Sequence, residues 1–262
     1  MIREKHIWEL LGQPAPRERK FFEEPWHFMV FSVLMIMLSL GLYVNGYEEV
    51  MFSMLVVLWV IFWRNSDRLG RIFLVMASVV GFTHEIVGVW LGLFEYTFVD
   101  YFSVPIFLLP GYGIIYWAAE NFWAHLKEKT LQQINFRLLA FGTILMLFMF
   151  DVFYSGFSLE YGMNLLFLMA IMLAFNELDL RDRFLVYITG FITGFDEIAG
   201  IALGAWTHKS VHLLSIVPPY LFLVWLALLL SGKLREYRLG RQIAIMGAAF
   251  GIKVAYWLMH LP

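Results

Sequence analysis

The sequence contains no cysteine, and only 15% of its 262 residues are charged. Without cysteine the chain has no disulfide framework, no thiolate nucleophile and no cysteine-ligated metal. Soluble domains usually carry about 25% charged residues, so the shortage of charge argues against a soluble fold. The formal net charge of −2 gives no indication of a nucleic-acid partner.

Apolar residues take the place of the missing charges and make up 61% of the chain, against about 45–50% in soluble domains. Many apolar runs are about 18–22 residues long, which is enough to cross a bilayer as a helix. The first 20 residues are charged and interrupted by proline, so we expect no cleavable signal peptide. The composition predicts an all-α, multi-pass protein of the plasma or inner membrane, with the lipid bilayer as its partner.

Nine hydrophobic segments predict nine transmembrane helices. The second and sixth segments are short, and either could lie partly in the membrane interface. The nine cover residues 26–44, 49–63, 71–94, 102–123, 137–153, 161–176, 183–206, 213–231 and 241–260.

Basic residues support this map because they alternate with the segments. The predicted outer side holds only Lys209, and Lys253 lies inside the ninth segment. Since cytoplasmic loops carry the excess of Lys and Arg, the N-terminus is predicted to be cytoplasmic and the C-terminus outside. The other 17 of the 19 Lys and Arg residues share the cytoplasmic side: Arg3, Lys5, Arg17, Arg19, Lys20, Arg64, Arg68, Arg71, Lys127, Lys129, Arg137, Arg181, Arg183, Lys233, Arg235, Arg238 and Arg241.

Two segments repeat each other at an offset of 112 residues. GFTHEIVGVWLG at 81–92 aligns with GFDEIAGIALG at 194–204, and the same offset matches Asp67 with Asp179. With one inserted residue, Pro105 matches Pro218, so these prolines are expected to kink two matching helices. Chance similarity among glycine-rich membrane helices is the alternative explanation.

The repeat predicts how the chain is organised within one integral membrane domain. Because each unit has an even number of spans, the two units are expected to be parallel. The predicted parts are a cytoplasmic segment at 1–25, a first four-helix repeat at 26–125, a second at 137–231 and a ninth helix at 241–262.

Three ionisable residues lie at one predicted depth. Glu85 and Glu197 are each 14 residues into their spans, about 20 Å from the cytoplasmic end, and Lys253 is 12 residues into the ninth. Glycines spaced along the same stripe place each glutamate on a packed helix face. Ionisable residues at such depth are costly and usually functional. A buried carboxyl is expected to be partly protonated, and a protonated carboxyl is a general acid.

These residues predict an active site without metal or cofactor. One glutamate is the general acid, and the neighbouring His84 or Asp196 positions water or tunes the pKa of that glutamate. The sequence does not decide which repeat is active. His208 and Lys209 are expected in a solvated outer loop. The predicted site comprises catalytic Glu85, Glu197, His84 and Asp196, the charge partner Lys253, and the substrate-lining aromatics Trp90, Phe94, Tyr96 and Trp206.

Residues 85–105, EIVGVWLGLFEYTFVDYFSVP, resemble a signature of the membrane-bound carotenoid hydratases, which hydrate the end of a linear carotenoid. The family usually has Thr at the position of Leu91 and an F-G-x-Y element where residues 94–96 read FEY. The second half of the chain does not match the family pattern. The resemblance implies a lyase-type enzyme of carotenoid biosynthesis that adds water to a lipid-soluble polyene. It is carried by Glu85, Gly88, Val89 and Gly92 in E-x-x-G-V-x-x-G, then by Tyr96, Val104 and Pro105.

Three functions are compatible with these residues. Hydration, isomerisation or cyclisation of an isoprenoid needs a proton donor and aromatic faces that stabilise a cation. A proton- or cation-coupled secondary transporter also has parallel repeats, with Glu85 and Glu197 as its midplane coupling site. In a nonenzymatic membrane component the acids would only hold the bundle together. A lateral, aromatic-lined cleft that opens to lipid and ends at the two doublets, His84–Glu85 and Asp196–Glu197, favours the enzyme. A polar path that reaches alternately to each water phase favours transport.

Overall fold

A computed structural model describes residues 25–99, 102–124, 159–176, 178–209, 213–234 and 239–259, with isolated helical positions at 138, 142, 145 and 149. Within these residues the protein is helical apart from two short strands, which confirms the predicted all-helical class. Residues 1–24 of the predicted cytoplasmic segment at 1–25 lie outside the described residues, as does the remainder of the predicted fifth span. The elements are α1 (Pro25–Val44), α2 (Glu48–Asn65), α3 (Arg68–Trp90), β1 (Phe94–Tyr96), α4 (Leu108–Ala124), α5 (Leu159–Phe175), α6 (Leu180–Leu203), β2 (Trp206–His208), α7 (Leu213–Leu230) and α8 (Leu239–Met259).

Two of the described helices, α3 and α6, are long and apolar enough to cross a membrane. Three shorter apolar stretches, Val30–Val44, Gly162–Phe175 and Ile216–Leu230, belong to α1, α5 and α7. The outward face of α1 is apolar as well, since Leu34 is 62% exposed. These features are compatible with association with a membrane.

Matching contacts hold the starts of α3 and α6. The side chain of Asp67 accepts a hydrogen bond from the Gly70 backbone N–H at 2.6 Å, and that of Asp179 accepts one from the Asp182 backbone N–H at 2.9 Å. Such N-caps satisfy backbone donors that a helix start leaves open. Each pair of residues is related to the other by the offset of 112.

An arginine ties each of these helices to the end of the preceding helix. Arg71 donates from Nε to the Trp63 carbonyl at 3.1 Å, and Arg183 donates from Nε to the Phe175 carbonyl at 2.9 Å. The offset of 112 therefore relates tertiary contacts as well as sequence.

Four helices surround the core of the molecule. Helix α3 packs against α4 and α7, and α6 packs against α7 and α4, so the four form a closed ring. Helices α2 and α5 pack outside this ring against α4 and α7, and α8 packs against α5. Each half of the sequence therefore contributes two helices to the ring.

Both long helices end earlier than predicted, and a strand follows each. Gly92 and Gly204 adopt left-handed backbone angles, with φ of 64° and 74°, which stop the helix at a residue that carries no Cβ. The predicted spans to 94 and 206 are therefore too long. Strands β1 and β2 then pair antiparallel, with the register Phe94 to His208, Glu95 to Thr207 and Tyr96 to Trp206.

This register is symmetric under the offset of 112, because exchanging each residue for its equivalent gives the same three pairs. Glu95 and Thr207 are equivalent positions and lie opposite each other at the centre. The ladder therefore lies on an internal two-fold axis, over one end of the helix ring. We call β1 and β2 the cap.

The predicted proline match is wrong. Helix α4 begins at Leu108, so Pro105 precedes it and cannot kink it, whereas Pro218 and Pro219 lie inside α7. The loop before α4 is longer than the loop before α7, which changes the offset from 112 to 108. Pro110 is then the equivalent of Pro218.

Candidate active site

Glu85 lies on α3 inside the helix ring and is only 1% exposed. The Tyr96 hydroxyl of the cap donates to its Oε2 at 2.7 Å, and the Tyr112 hydroxyl of α4 donates to its Oε1. Burial raises the pKa of Tyr96 well above its usual range, so this phenol keeps the proton it donates. His84 Nδ1 lies 3.5 Å from Glu85 Oε1.

Glu197 has matching surroundings on α6. The Tyr220 hydroxyl of α7 donates to its Oε2 at 2.8 Å, as Tyr112 does to Glu85. His208 Nε2 of the cap lies 3.5 Å from Oε1, in the place that Tyr96 takes beside Glu85. The Trp206 indole N–H of the cap is buried and makes no hydrogen bond within the described part of the chain.

Aromatic rings join the two acids into one cluster. The His84 ring meets the Tyr220 ring edge-on, with centroids 5.5 Å apart. The histidine next to Glu85 therefore contacts the tyrosine that donates to Glu197. In the cap, the ring centroids of Phe94 and His208 are 5.1 Å apart, and those of Tyr96 and Trp206 are 5.4 Å apart. The two doublets therefore belong to one site on the two-fold axis.

A cleft opens beside His84 between α3, α5, α7 and α8, and its volume is about 270 Å³. Most of its lining is aliphatic or aromatic, and its polar side chains are Thr83, His84 and Lys253. Val79 and Val87, which also line it, are 48% and 43% exposed, so it opens on the side of the helix bundle. We call it the His84 cleft.

The two-fold axis gives this cleft a smaller counterpart beside Asp196. It lies between α1, α2, α4 and α6, has a volume of about 50 Å³, and includes Thr193 and Tyr112 in its lining. Asp196 occupies the position equivalent to His84. The two doublets thus share the acid cluster but face different clefts.

The predicted aromatic residues divide into two groups. Phe94, Tyr96 and Trp206 are at most 9% exposed and enclose the acids within the cap. Trp90 is 80% exposed and is not among the residues that line either cleft. Lys253 is 4% exposed and lines the His84 cleft, with Nζ 4.9 Å from the centroid of the Phe167 ring.

Sequence reasoning missed Tyr112, Tyr220 and the role of His208. The sequence does contain a signal for the two tyrosines, because both halves contain Pro-x-Tyr-x-x-x-x-Trp. The two motifs align at an offset of 108, not at the offset of 113 that matches Pro105 with Pro218. His208 is 11% exposed at its side chain, so the expectation of a solvated residue is wrong. Its burial depends on pairing with a strand more than 100 residues earlier, which no local pattern reveals.

Among the residues that the structure describes, no group of three or more His, Cys, Asp or Glu side chains is placed to hold a metal ion. Comparisons with protein-family models, curated proteins and solved structures each return no match to this chain. The resemblance of residues 85–105 to the carotenoid hydratases therefore stays a prediction, and function must be argued from the site itself.

Proposed function

We propose that the protein is an intramembrane enzyme that acts by acid–base chemistry on a hydrophobic isoprenoid or carotenoid-like lipid. One observation carries this proposal: His84 lines a lateral apolar cleft while Glu85 lies directly behind it. An imidazole transfers protons near neutral pH, and a carboxylate at its other side orients it and stabilises its charged form. The dyad therefore supplies a proton donor and acceptor where a lipid chain would lie.

We assign different roles within the His84–Glu85 doublet from those that the sequence predicts. Glu85 accepts hydrogen bonds from two tyrosines, which suits an ionised carboxylate because that form only accepts. His84, with a side chain 23% exposed, is the member that lines the cleft. We assign proton transfer to His84 and orientation of its ring to Glu85.

Hydration of a double bond fits this arrangement. A proton passes to one carbon of the alkene, water attacks the resulting cation at the other carbon, and the bound water then returns a proton to the base. The sum is one alkene plus one water giving one alcohol. Isomerisation of the double bond uses the same first step and then loses a proton from a neighbouring carbon.

The enzyme is tested by comparing the lipids of cells that express wild-type protein, His84→Ala or Glu85→Gln. We expect wild-type extracts to contain lipid species that differ from their precursors by one water or by double-bond position. Removal of the proton donor should lower their amount by about a hundredfold or more, the usual contribution of general acid–base catalysis. Mass spectrometry and chromatography of the extracts measure both changes.

Glu95→Gln is the matched control, because Glu95 is an exposed glutamate of the cap. It should leave the lipid products unchanged while Glu85→Gln reduces them. Extracts that are the same for wild type, His84→Ala and Glu85→Gln would contradict the proposal.

Coupled transport is the second candidate, and the paired acids on the two-fold axis favour it. Glu197 would then share protons or cations with Glu85 through Tyr220 and His84. Proton-coupled uptake that survives in both Glu85→Gln and Glu197→Gln would count against transport. Loss of uptake in both variants, with unchanged lipid extracts, would favour it over the enzyme.

We also propose that the chain crosses the plasma or inner membrane nine times, with a cytoplasmic N-terminus and two parallel repeats. The alternation of basic residues along the chain and the apolar outward helix faces support this arrangement. The His84 cleft would then open sideways into lipid, where an isoprenoid chain partitions.

A further inference from the structure

Two threonines follow Glu197 along the buried face of α6, on the side away from the cap. Thr189, Thr193 and Glu197 are spaced at intervals of four residues, so they share one face of the helix, and all three are buried. The Thr193 hydroxyl donates to the Thr189 carbonyl at 2.8 Å. The Thr189 hydroxyl makes no hydrogen bond within the described part of the chain. Helix α6 therefore carries a polar stripe that leads to one of the acids.

Helix α4 carries a matching stripe. Tyr112, Tyr116 and Glu120 are spaced at intervals of four residues, and Tyr112 is the donor to the other acid. The Tyr116 hydroxyl is fully buried and has no hydrogen-bond partner among the described residues. At the end of the stripe away from the cap, Glu120 accepts from Lys233 Nζ at 2.6 Å, and both side chains are partly exposed. This stripe therefore runs from a buried acid to the protein surface.

The two stripes lie side by side. Helix α4 begins beside the cap and α6 ends beside it, and the two helices pack against each other, so the stripes run antiparallel. The Tyr116 hydroxyl lies near the Thr193 side chain, which sets the level at which they meet. We call Thr189, Thr193, Tyr116 and Glu120 the polar column.

The spacing of the polar column suits water. Successive members of a stripe are about 6 Å apart along the helix, and one water molecule bridges that distance with two hydrogen bonds of about 2.8 Å each. Buried waters are usually held by polar groups that lack a protein partner, as the Thr189 and Tyr116 hydroxyls do within the described residues.

The smaller cleft beside Asp196 joins the column to the acids. Thr193 and Tyr112 both line it, and Tyr112 donates to Glu85. A buried water needs about 10–15 Å³, so the cleft volume of about 50 Å³ has room for a few water molecules. Water there would meet the Asp196 carboxyl as well as the two hydroxyls.

The equivalent interface of the other half, between α3 and α7, provides an internal contrast. At the four positions that correspond to the column through the offsets of 112 and 108, the side chains have no polar group. These residues are Ala77, Gly81, Val224 and Leu228, and all four are buried. The repeat thus keeps an acid in each half but places the polar column in one half only.

We propose that the polar column holds a chain of water molecules that connects Glu85 and Glu197 with the aqueous phase at the Glu120–Lys233 end of the helix ring. Such a chain brings in the water that hydration consumes and lets the buried acids exchange protons with that phase. The inference deepens the proposed function, because a cleft that opens into lipid does not supply water. It involves no bond to the substrate, so water access alone tests it.

Infrared spectroscopy of single-cysteine variants measures this access, because the chain has no native cysteine. A thiol that meets water loses its S–H stretching band when the purified full-length protein is transferred in detergent to heavy water. Thr193→Cys places a thiol in the column, and Val224→Cys places one in the apolar interface, at the position equivalent to Tyr116. We expect the band of Thr193→Cys to disappear at least about a hundredfold faster, since the other thiol exchanges only when the helices open locally. Equal rates would overturn the proposal.

A second substitution locates the route of the water. Thr189→Val removes a hydroxyl of the column and keeps the shape of the side chain. In the Thr193→Cys protein it should slow the loss of the S–H band by about tenfold, the effect of one hydrogen bond. Thr83→Val, in the lining of the His84 cleft, is the control and should leave the rate unchanged. A rate that Thr189→Val does not change would contradict the column as the route.

Failure of this inference and failure of the proposed enzyme give different results. If the Thr193→Cys thiol exchanges fast but the cell extracts do not depend on His84, the water chain stands and the enzyme does not. If the extracts depend on His84 but both thiols exchange equally slowly, the enzyme stands and its water takes another route.

Discussion

At the scale of single residues, the two buried glutamates differ in their hydrogen-bond donors. Glu85 receives two tyrosine hydroxyls, whereas one tyrosine hydroxyl donates to Glu197 and a histidine takes the place of the second. An ionised carboxylate only accepts hydrogen bonds, so two hydroxyl donors favour the ionised form of Glu85. The repeat therefore conserves the positions of the acids while changing their chemistry.

Tyr112→Phe tests the value of one of these donors. It removes the hydroxyl that donates to Glu85 Oε1 and leaves His84 Nδ1, 3.5 Å away, beside that oxygen. Loss of a hydrogen bond to a buried carboxylate should lower the free energy of unfolding by about 1–3 kcal/mol. Thermal unfolding of the purified protein in detergent measures the loss.

Tyr116→Phe is the matched control, one helical turn along α4. Its hydroxyl is buried near Thr193 and makes no hydrogen bond within the described part of the chain, so its removal should cost little. If Tyr112→Phe is as stable as Tyr116→Phe, the donor to Glu85 contributes nothing measurable.

The acids could be predicted from the sequence, and their partners could not. A glutamate in an apolar run stands out because charge is expensive there. A tyrosine in the same run does not, since this chain has 12 tyrosines and most positions of an apolar helix tolerate one. Only the geometry shows which phenols face the carboxyls.

At the scale of elements, the ends of α3 and α6 decide where the cap lies. Gly88 and Gly200 lie under the cap, and a Cβ at either position would lie 2.3 Å from the Phe94 ring or 2.0 Å from the Trp206 ring. The spacing of the glycines along each helix predicts helix–helix packing at these positions. Their closest neighbours are instead the aromatic side chains of the following strands.

Gly200→Ala should therefore destabilise the protein. The Trp206 ring is 3% exposed and has little room to move, so the added methyl should lower the free energy of unfolding by about 1–3 kcal/mol. Gly41→Ala is the control, because a Cβ there meets nothing within 4 Å. That change should be neutral or stabilising, by up to about 1 kcal/mol, in a helix interior. Equal melting temperatures for the two variants would contradict the close packing of the cap.

At the scale of the whole molecule, the offset of 112 anticipated which helices correspond, but not the axis between them. Matching residues in sequence cannot show that β1 pairs with β2, because the pairing lies between the repeats rather than within one. Nor can they show that α8 joins α5 and closes one cleft with Lys253, since the ninth helix has no counterpart in the repeat. Local patterns predicted the units, and contacts distant in sequence determined the site.

The proposed orientation of the whole molecule can be tested cleanly because the chain has no native cysteine. Arg64 lies in the last turn of α2 and Lys209 directly follows β2. Both are exposed, and the charge distribution assigns them to opposite sides of the membrane. Lys209→Cys should react with a membrane-impermeant maleimide added to intact cells, whereas Arg64→Cys should react only after permeabilisation. The cysteine-free wild type is the control and should not be labelled. If both cysteines react from the same side, an even number of crossings separates them, and the predicted map of spans between α2 and β2 is wrong.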